Sequence, residues 1–377
     1  MNQGFYLTLL AGPVVAAPVP QVVMDDLTSV QITATAAPRT PSGFQLTFNL
    51  SNRSPLHTLF LLAGGGVPPV LRVILVVTID GTPEVLIDGV VTRQDVSPGA
   101  AAGLSTLTVT GVDLTAVMDL VAVDGFAFPA MPAAARVLVM IARYATFGIT
   151  PLVVPSLLVD VPIPIDQTPR QQGTDLHYIE QLADEVGYVF YLKPGPVPGA
   201  SVAYWGPEIK SGAPQKALNV DMDAHTNVEA LSFNFNAESA ELPVLLVYDK
   251  ETKVPIAIPI PDITPLNPPL GQVPPLAKRI DFVEGTGKYG PVRAALLGLA
   301  RAARSADAVT GSGSLDVLRY GRPLRARELV GVRGAGPAFD GLYFVKSVTH
   351  DIKRGEYRQS FTLARNGLLS TLPTVPA

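Results

Sequence analysis

The chain has no cysteine among its 377 residues, which excludes disulfides and thiolate metal sites. Charge is also scarce: Asp, Glu, Lys and Arg make up 16%, against roughly 25% in an ordinary soluble domain. Hydrophobic residues reach 47% and mean hydropathy is +0.31. A chain this poor in charge either lies in a membrane or buries much of its surface against other subunits. Long apolar runs are missing, which argues against the membrane. The stretch 56–79 is broken by Gly64-Gly65-Gly66, Pro68-Pro69 and Arg72, and 137–165 by Arg143, Pro151, Pro155 and Asp160. Neither offers the ~20 uninterrupted apolar residues of a span. The N-terminus lacks the basic region of a signal peptide, so the expectation is a soluble protein made in the cytoplasm. Net charge is −4 with no basic cluster, leaving no footprint for nucleic acid.

The usual chemical constellations are absent too. His57, His177, His225 and His350 lie far apart, and none stands at metal-ligand spacing. There is no Gly-x-Ser-x-Gly elbow. Asp221 and Asp223 read as solvated, as do Arg293, Arg301 and Arg304 on one face of a helix expected over 291–305. Gly285-Thr-Gly-Lys-Tyr-Gly290 matches a dinucleotide fingerprint in letters. However, Pro291 follows directly and no second strand ends in an acid for the ribose. A glycine turn into a proline-started helix explains it. No catalytic residue, metal or cofactor is expected.

Proline (36) and glycine (33) are abundant, and they punctuate short strand-like runs, the pattern of a mainly β chain. Phe44, Leu46, Phe48 and Leu50 share one face of a strand. Val70–Ile79 should pair with Val85–Thr92 across Asp80-Gly81-Thr82-Pro83, and Leu104–Gly111 adds another strand. Thr115–Val121 and Ala133–Tyr144 look helical. The clearest helix covers 174–186: Thr174 caps it, Asp175 suits its dipole, and Gly187 ends it. Leu176, Ile179, Leu182, Ala183 and Val186 form its apolar stripe. Strands Tyr188–Leu192 and Ser201–Trp205 follow. A proline-rich stretch, 254–277, reads as an extended arm, since proline cannot donate to a ladder. Leu315–Arg319 and Leu324–Val332 read as strands.

The richest segment is Phe339–Gly367. Asp340-Gly341 opens a strand carrying Tyr343, Val345, Val348 and His350. Lys353-Arg354-Gly355-Glu356 turns, with Gly355 free to take positive φ. The return strand sets Tyr357, Phe361 and Leu363 on one face and Arg358, Ser360 and Thr362 on the other, ending in Arg365-Asn366-Gly367. This wording, Gly-x-Tyr-x-Val-x-x-Val-x-His, then Phe-x-Leu-x-Arg-Asn-Gly, resembles the end of baseplate hub proteins of contractile phage tails and related injection systems. That family includes phage late-control protein D and the N-terminal hub part of VgrG. The helix and hairpin at 174–205 resemble the family's small α/β insert.

The resemblance implies two similar β-barrels, 1–165 and 221–377, separated by an α/β insert, 166–220. It also implies a homotrimeric ring that joins a spike to the hexameric inner tube among other baseplate subunits. The spike should be a separate protein, because the chain stops at Ala377. The tail-hub reading is that of a structural, non-enzymatic component of an assembled particle. The alternative is a β-rich extracellular binding or hydrolytic module.

Overall fold

The computed structural model describes residues 4–51, 54–62, 70–99, 105–156, 168–236, 241–248, 255–259, 268–275, 279–282, 298, 307–373 and 375. The fold is mainly β. Twenty-one strands follow in chain order: β1 Phe5–Gly12, β2 Ala17–Pro18, β3 Leu27–Thr35, β4 Gly43–Leu50, β5 Arg72–Ile79, β6 Thr82–Ser97, β7 Ser105–Asp113, β8 Ile149–Val153, β9 Val189–Pro194, β10 Ser201–Gly206, β11 Gln215–Asn219, β12 Ala230–Phe235, β13 Glu241–Tyr248, β14 Pro255–Pro259, β15 Gly271–Val273, β16 Arg279–Phe282, β17 Val309–Asp316, β18 Leu329–Arg333, β19 Gly341–Lys353, β20 Glu356–Arg365 and β21 Leu368–Ser370. Among the described residues five α-helices join them: α1 Gln21–Asp26, α2 Thr115–Met118, α3 Ala133–Ala142, α4 Asp175–Val186 and α5 Val317–Tyr320.

One 13-stranded sheet organises the molecule, running β12-β17-β20-β19-β3-β4-β7-β6-β5-β1-β2, with β11 and β18 attached beside β19. Alternation drives it. Phe44, Leu46, Phe48 and Leu50 of β4 are all buried, as the sequence pattern requires. The β5–β6 hairpin turns on Asp80 and Gly81, both at positive φ (49° and 77°), the two-residue turn that matches strand twist. The connection is therefore tighter than expected, because Thr82 and Pro83 already lie in the ladder. The N-terminal strands join the C-terminal ones through β3 and β19, paired antiparallel from Thr35↔Ser347 to Ser29↔Lys353. One hydrophobic core crosses that seam, from Leu9, Phe48 and Leu107 to Val309, Tyr343 and Phe361.

A second core lies under α4. Its helix begins as its sequence demands: the Thr174 side chain accepts the His177 N–H (3.2 Å), and Gly187 ends it at φ 72°. Ile179, Leu182, Ala183 and Val186 are buried, with Tyr178 added and Leu176 only partly covered. The sheet beside it orders β8-β10-β9, with β8 parallel to β10. This core also takes Leu114, Val117, Val137, Met140 and Ile149 from chain segments preceding the expected insert.

Three local readings change. Leu315–Arg319 is strand only in its first two residues: β17 ends at Asp316, whose carboxylate accepts the N–H groups of Leu318 and Arg319 and caps α5. Thr115–Val121 is helical only as far as Met118. The proline-rich stretch enters ladders at both ends, Pro255–Pro259 as an edge strand on β13 and Gly271–Val273 on β21. The fingerprint Gly285–Gly290 and, Gly298 apart, the helix expected over 291–305 lie outside the described residues.

Candidate functional site

The motif-bearing hairpin β19–β20 sits in the middle of the large sheet, flanked by β3 and β17. Tyr343, Val345, Val348, Tyr357, Phe361 and Leu363 are all buried. Gly355 stands exposed at the turn with φ 76°, in the left-handed region that only glycine enters without cost. A register shift between Val345 and Ser347 places one extra residue in β19, and Ala36 N–H takes the Lys346 carbonyl there (2.7 Å).

His350 is 4% exposed, and burial lowers its pKa to about 4, so the ring is neutral at physiological pH. Its Nδ1 lies 2.7 Å from the Tyr357 hydroxyl and 3.2 Å from Gln359 Nε2. Gln359 is fixed by Leu324, whose N–H donates to Oε1 (2.8 Å) and whose carbonyl accepts from Nε2 (3.0 Å). Both neighbours can donate toward Nδ1, which leaves the ring proton on Nε2. His350 is thus an interior acceptor that ties β19 to the 324 loop, without a carboxylate partner for proton transfer. Gln359, fully buried, was not singled out by sequence. Its only signal is a polar letter in phase with Tyr357 and Phe361.

The Arg-Asn-Gly ending has a physical reading. Arg365 is 1% exposed; its guanidinium donates to the carbonyls of Asp340 (2.9 Å) and Ala338 (2.8 Å) and lies 4.5 Å from the Tyr343 ring centroid. Tyr343 closes the same loop with a hydrogen bond to the Phe339 carbonyl (2.7 Å). Asn366 Oδ1 accepts the N–H groups of Leu270 and Gly271, 3.0 Å each. At Gly367 a Cβ would come 2.6 Å from the Val273 carbonyl oxygen, so only glycine lets the proline-rich segment approach. The three residues dock a loop and residues 270–273 onto the large sheet.

Sequence reasoning missed the polar joint between sheet and insert. Arg72 and Asp88 form a buried two-bond ion pair (2.8 and 2.6 Å). Arg72 also reaches the carbonyls of Val14, Phe147 and Gly199, and Ser201 donates to Asp88 (3.1 Å). Asp175 gathers Arg143 (2.8 Å), Tyr144 (2.8 Å) and Gln171 (2.6 Å). In sequence these were an interrupted apolar run and a helix first turn. His177 and His225 are exposed, and His57 meets the Ser51 carbonyl (3.1 Å). Among the described residues no group of His, Asp or Glu could hold a metal, and no helix is long and apolar enough to cross a membrane.

No protein-family profile matches the chain, and no curated protein does. Solved structures do match, and the fold they share is that of phage tail and type VI secretion proteins, in agreement with the hub resemblance. A tail protein from Neisseria meningitidis aligns over 97% of this chain and 98% of its own, at TM-score 0.62 and 14% identity. The 43 kDa tail protein of prophage MuSo2 from Shewanella oneidensis aligns over 96% and 99%, at 0.61 and 15%. An Escherichia coli type VI secretion component, described as similar to the T4 bacteriophage tail proteins gp27 and gp5, aligns over 93% and 78%, at 0.53 and 12%.

Proposed function

We propose that this chain is a structural baseplate hub of a contractile tail or injection machine, not an enzyme. Three copies form a ring that joins a spike to the hexameric inner tube, each copy offering two similar barrels, 1–165 and 221–377, around the insert 166–220. The chain works inside the assembled particle.

The observation that carries this reading is the near-complete fold match, in both directions, with two tail proteins. Two further features support it. Charge is scarce for a lone chain of 377 residues. Large apolar side chains stand exposed, Tyr6 at 76%, Val15 at 80% and Val121 at 67%, where subunit contacts would cover them.

Light scattering behind size exclusion should give about three times 39.7 kDa. Deleting the gene should remove sheathed particles seen by electron microscopy, and complementation should restore them. A stable monomer at micromolar concentration, together with intact particles in the deletion strain, would sink the proposal.

A further inference from the structure

Where the insert meets the large sheet, two cavities share one arginine. Arg327 occupies the turn before β18 at φ 66°, a conformation disfavoured for a residue with a long side chain. The turn cannot relax, because Arg327 N–H donates to the Val345 carbonyl (2.9 Å) and Val345 N–H to the Glu328 carbonyl (3.0 Å). The strained backbone aims the guanidinium over Tyr191, 3.9 Å from the ring centroid. On one side lies a cavity of about 290 Å³ whose walls include Val85, Leu86, Leu324 and Pro194. On the other lies one of about 340 Å³ that includes Asp113, Thr115 and Glu180. Ser42, Tyr191, Leu192 and Arg327 belong to both.

The neighbouring arginines are committed: Arg325 to Glu84 (2.6 Å), and Arg39 to Asp184. Among the described residues the Arg327 guanidinium has no hydrogen bond or ion pair. The two carboxylates that act on it from a distance are already engaged: Glu208 stands 3.9 Å from the Lys210 ammonium, and Asp113 accepts the N–H groups of Ser42 (2.8 Å) and Thr115 (3.0 Å) and the Thr115 hydroxyl. The half-buried guanidinium is free to take an anion, and its planar fork fits a carboxylate through two parallel bonds. The chambers share four lining residues and differ in polarity, the first being the more apolar. An extended chain, with successive side chains on opposite faces, can occupy both chambers, whereas one small acid fills only one.

We propose that this cleft binds an extended peptide segment of a partner protein, pairing an Asp or Glu carboxylate with Arg327 and seating a neighbouring apolar side chain against Val85, Leu86 and Leu324. The inference stands on the cleft alone, whether or not the chain is a tail hub.

The test uses the full chain and a randomised, end-capped hexapeptide display library, selected on the native protein and counter-selected on Arg327→Gln. The expected result is enrichment of sequences with Asp or Glu beside an apolar residue. By calorimetry, replacing that acid with its amide should weaken the selected peptide at least about tenfold on native protein and leave it unchanged on Arg327→Gln. Arg93→Gln, an exposed site on β6, should bind as the native chain does. Matching melting temperatures establish that the variants fold. If Arg327→Gln melts early, Arg327→Lys carries the comparison, keeping charge but losing the fork, with an expected intermediate loss. Enrichment that survives counter-selection, indifference to the acid-to-amide change, or succinate competing as well as the peptide would each overturn the proposal.

Discussion

In the large sheet, apolar residues alternate along each strand and meet matching rows on the other side, so Phe48, Leu107, Val309 and Phe361 form one continuous interior. The second core, which joins α4 to residues from 114–149, is attached to that sheet through buried charge. Arg72 of β5, Asp88 of β6 and Ser201 of β10 close that joint, while Asp175 ties the start of α4 to Arg143 and Tyr144 on the same side. A ladder with alternating side chains tolerates many residues of similar size at each point. A buried ion pair tolerates almost none, because removing one partner strands the other. The sheet interior should therefore fail by losing volume, and its joint to the α4 side by losing a single atom's charge.

The largest effect should come from the sheet. Phe361→Ala removes a ring from the seam between β17 and β19 and should cost about 4 kcal/mol by the large-to-small rule; chemical denaturation reads it, and a loss under 1.5 kcal/mol would place Phe361 outside the continuous core. Asp88→Asn should cost about 3 kcal/mol by uncompensating Arg72. The Arg72→Met, Asp88→Leu double variant should recover most of that loss, and a double variant worse than the single would mean that the pair is held by its surroundings rather than by charge.

The third effect depends on pH. His350 has a folded pKa of about 4, below the usual ~6.5 of an unfolded histidine. Between these values the unfolded chain binds more protons, so stability rises with pH and is lost as pH falls through that window. The contribution of this residue amounts to about 2 kcal/mol between pH 8 and pH 5. A His350→Gln variant should show a correspondingly flatter profile, and an unchanged one would remove histidine from the account. The smallest effect belongs to the insert's helix: Thr174→Ala should cost about 1 kcal/mol through loss of the His177 cap, measured as a lowered melting temperature.

The same contrast explains what was legible in sequence. Period-2 patterns revealed β4, β19 and β20 because each residue's burial depends only on which face of the strand it occupies. Helix α4 was legible because its cap, its stripe and its final glycine are local. Arg72 was read as an interruption, since the carboxylate that neutralises it lies on the next strand and its carbonyl partners far along the chain. Gln359 and Arg327 escaped for a related reason: a buried polar group declares itself only through partners brought close by folding. Leu315–Arg319 misled because Asp316 caps a helix within an otherwise strand-like run, and a single capping carboxylate outweighs four residues of weak propensity.

The seam between β3 and β19 also sets the order of events during synthesis. Gln31 and Asp351 hydrogen-bond across a separation of 320 residues, so the inner edge of β3 has no native partner until the ribosome has delivered almost the whole hairpin. Loop closure grows only logarithmically more costly with length, and the finished sheet is not much penalised. The delay is another matter: contacts this distant slow folding and leave a long apolar strand edge waiting in the open. Nascent chains interrupted before β19 should therefore associate with one another, and the last strands delivered decide whether the first ones stay soluble.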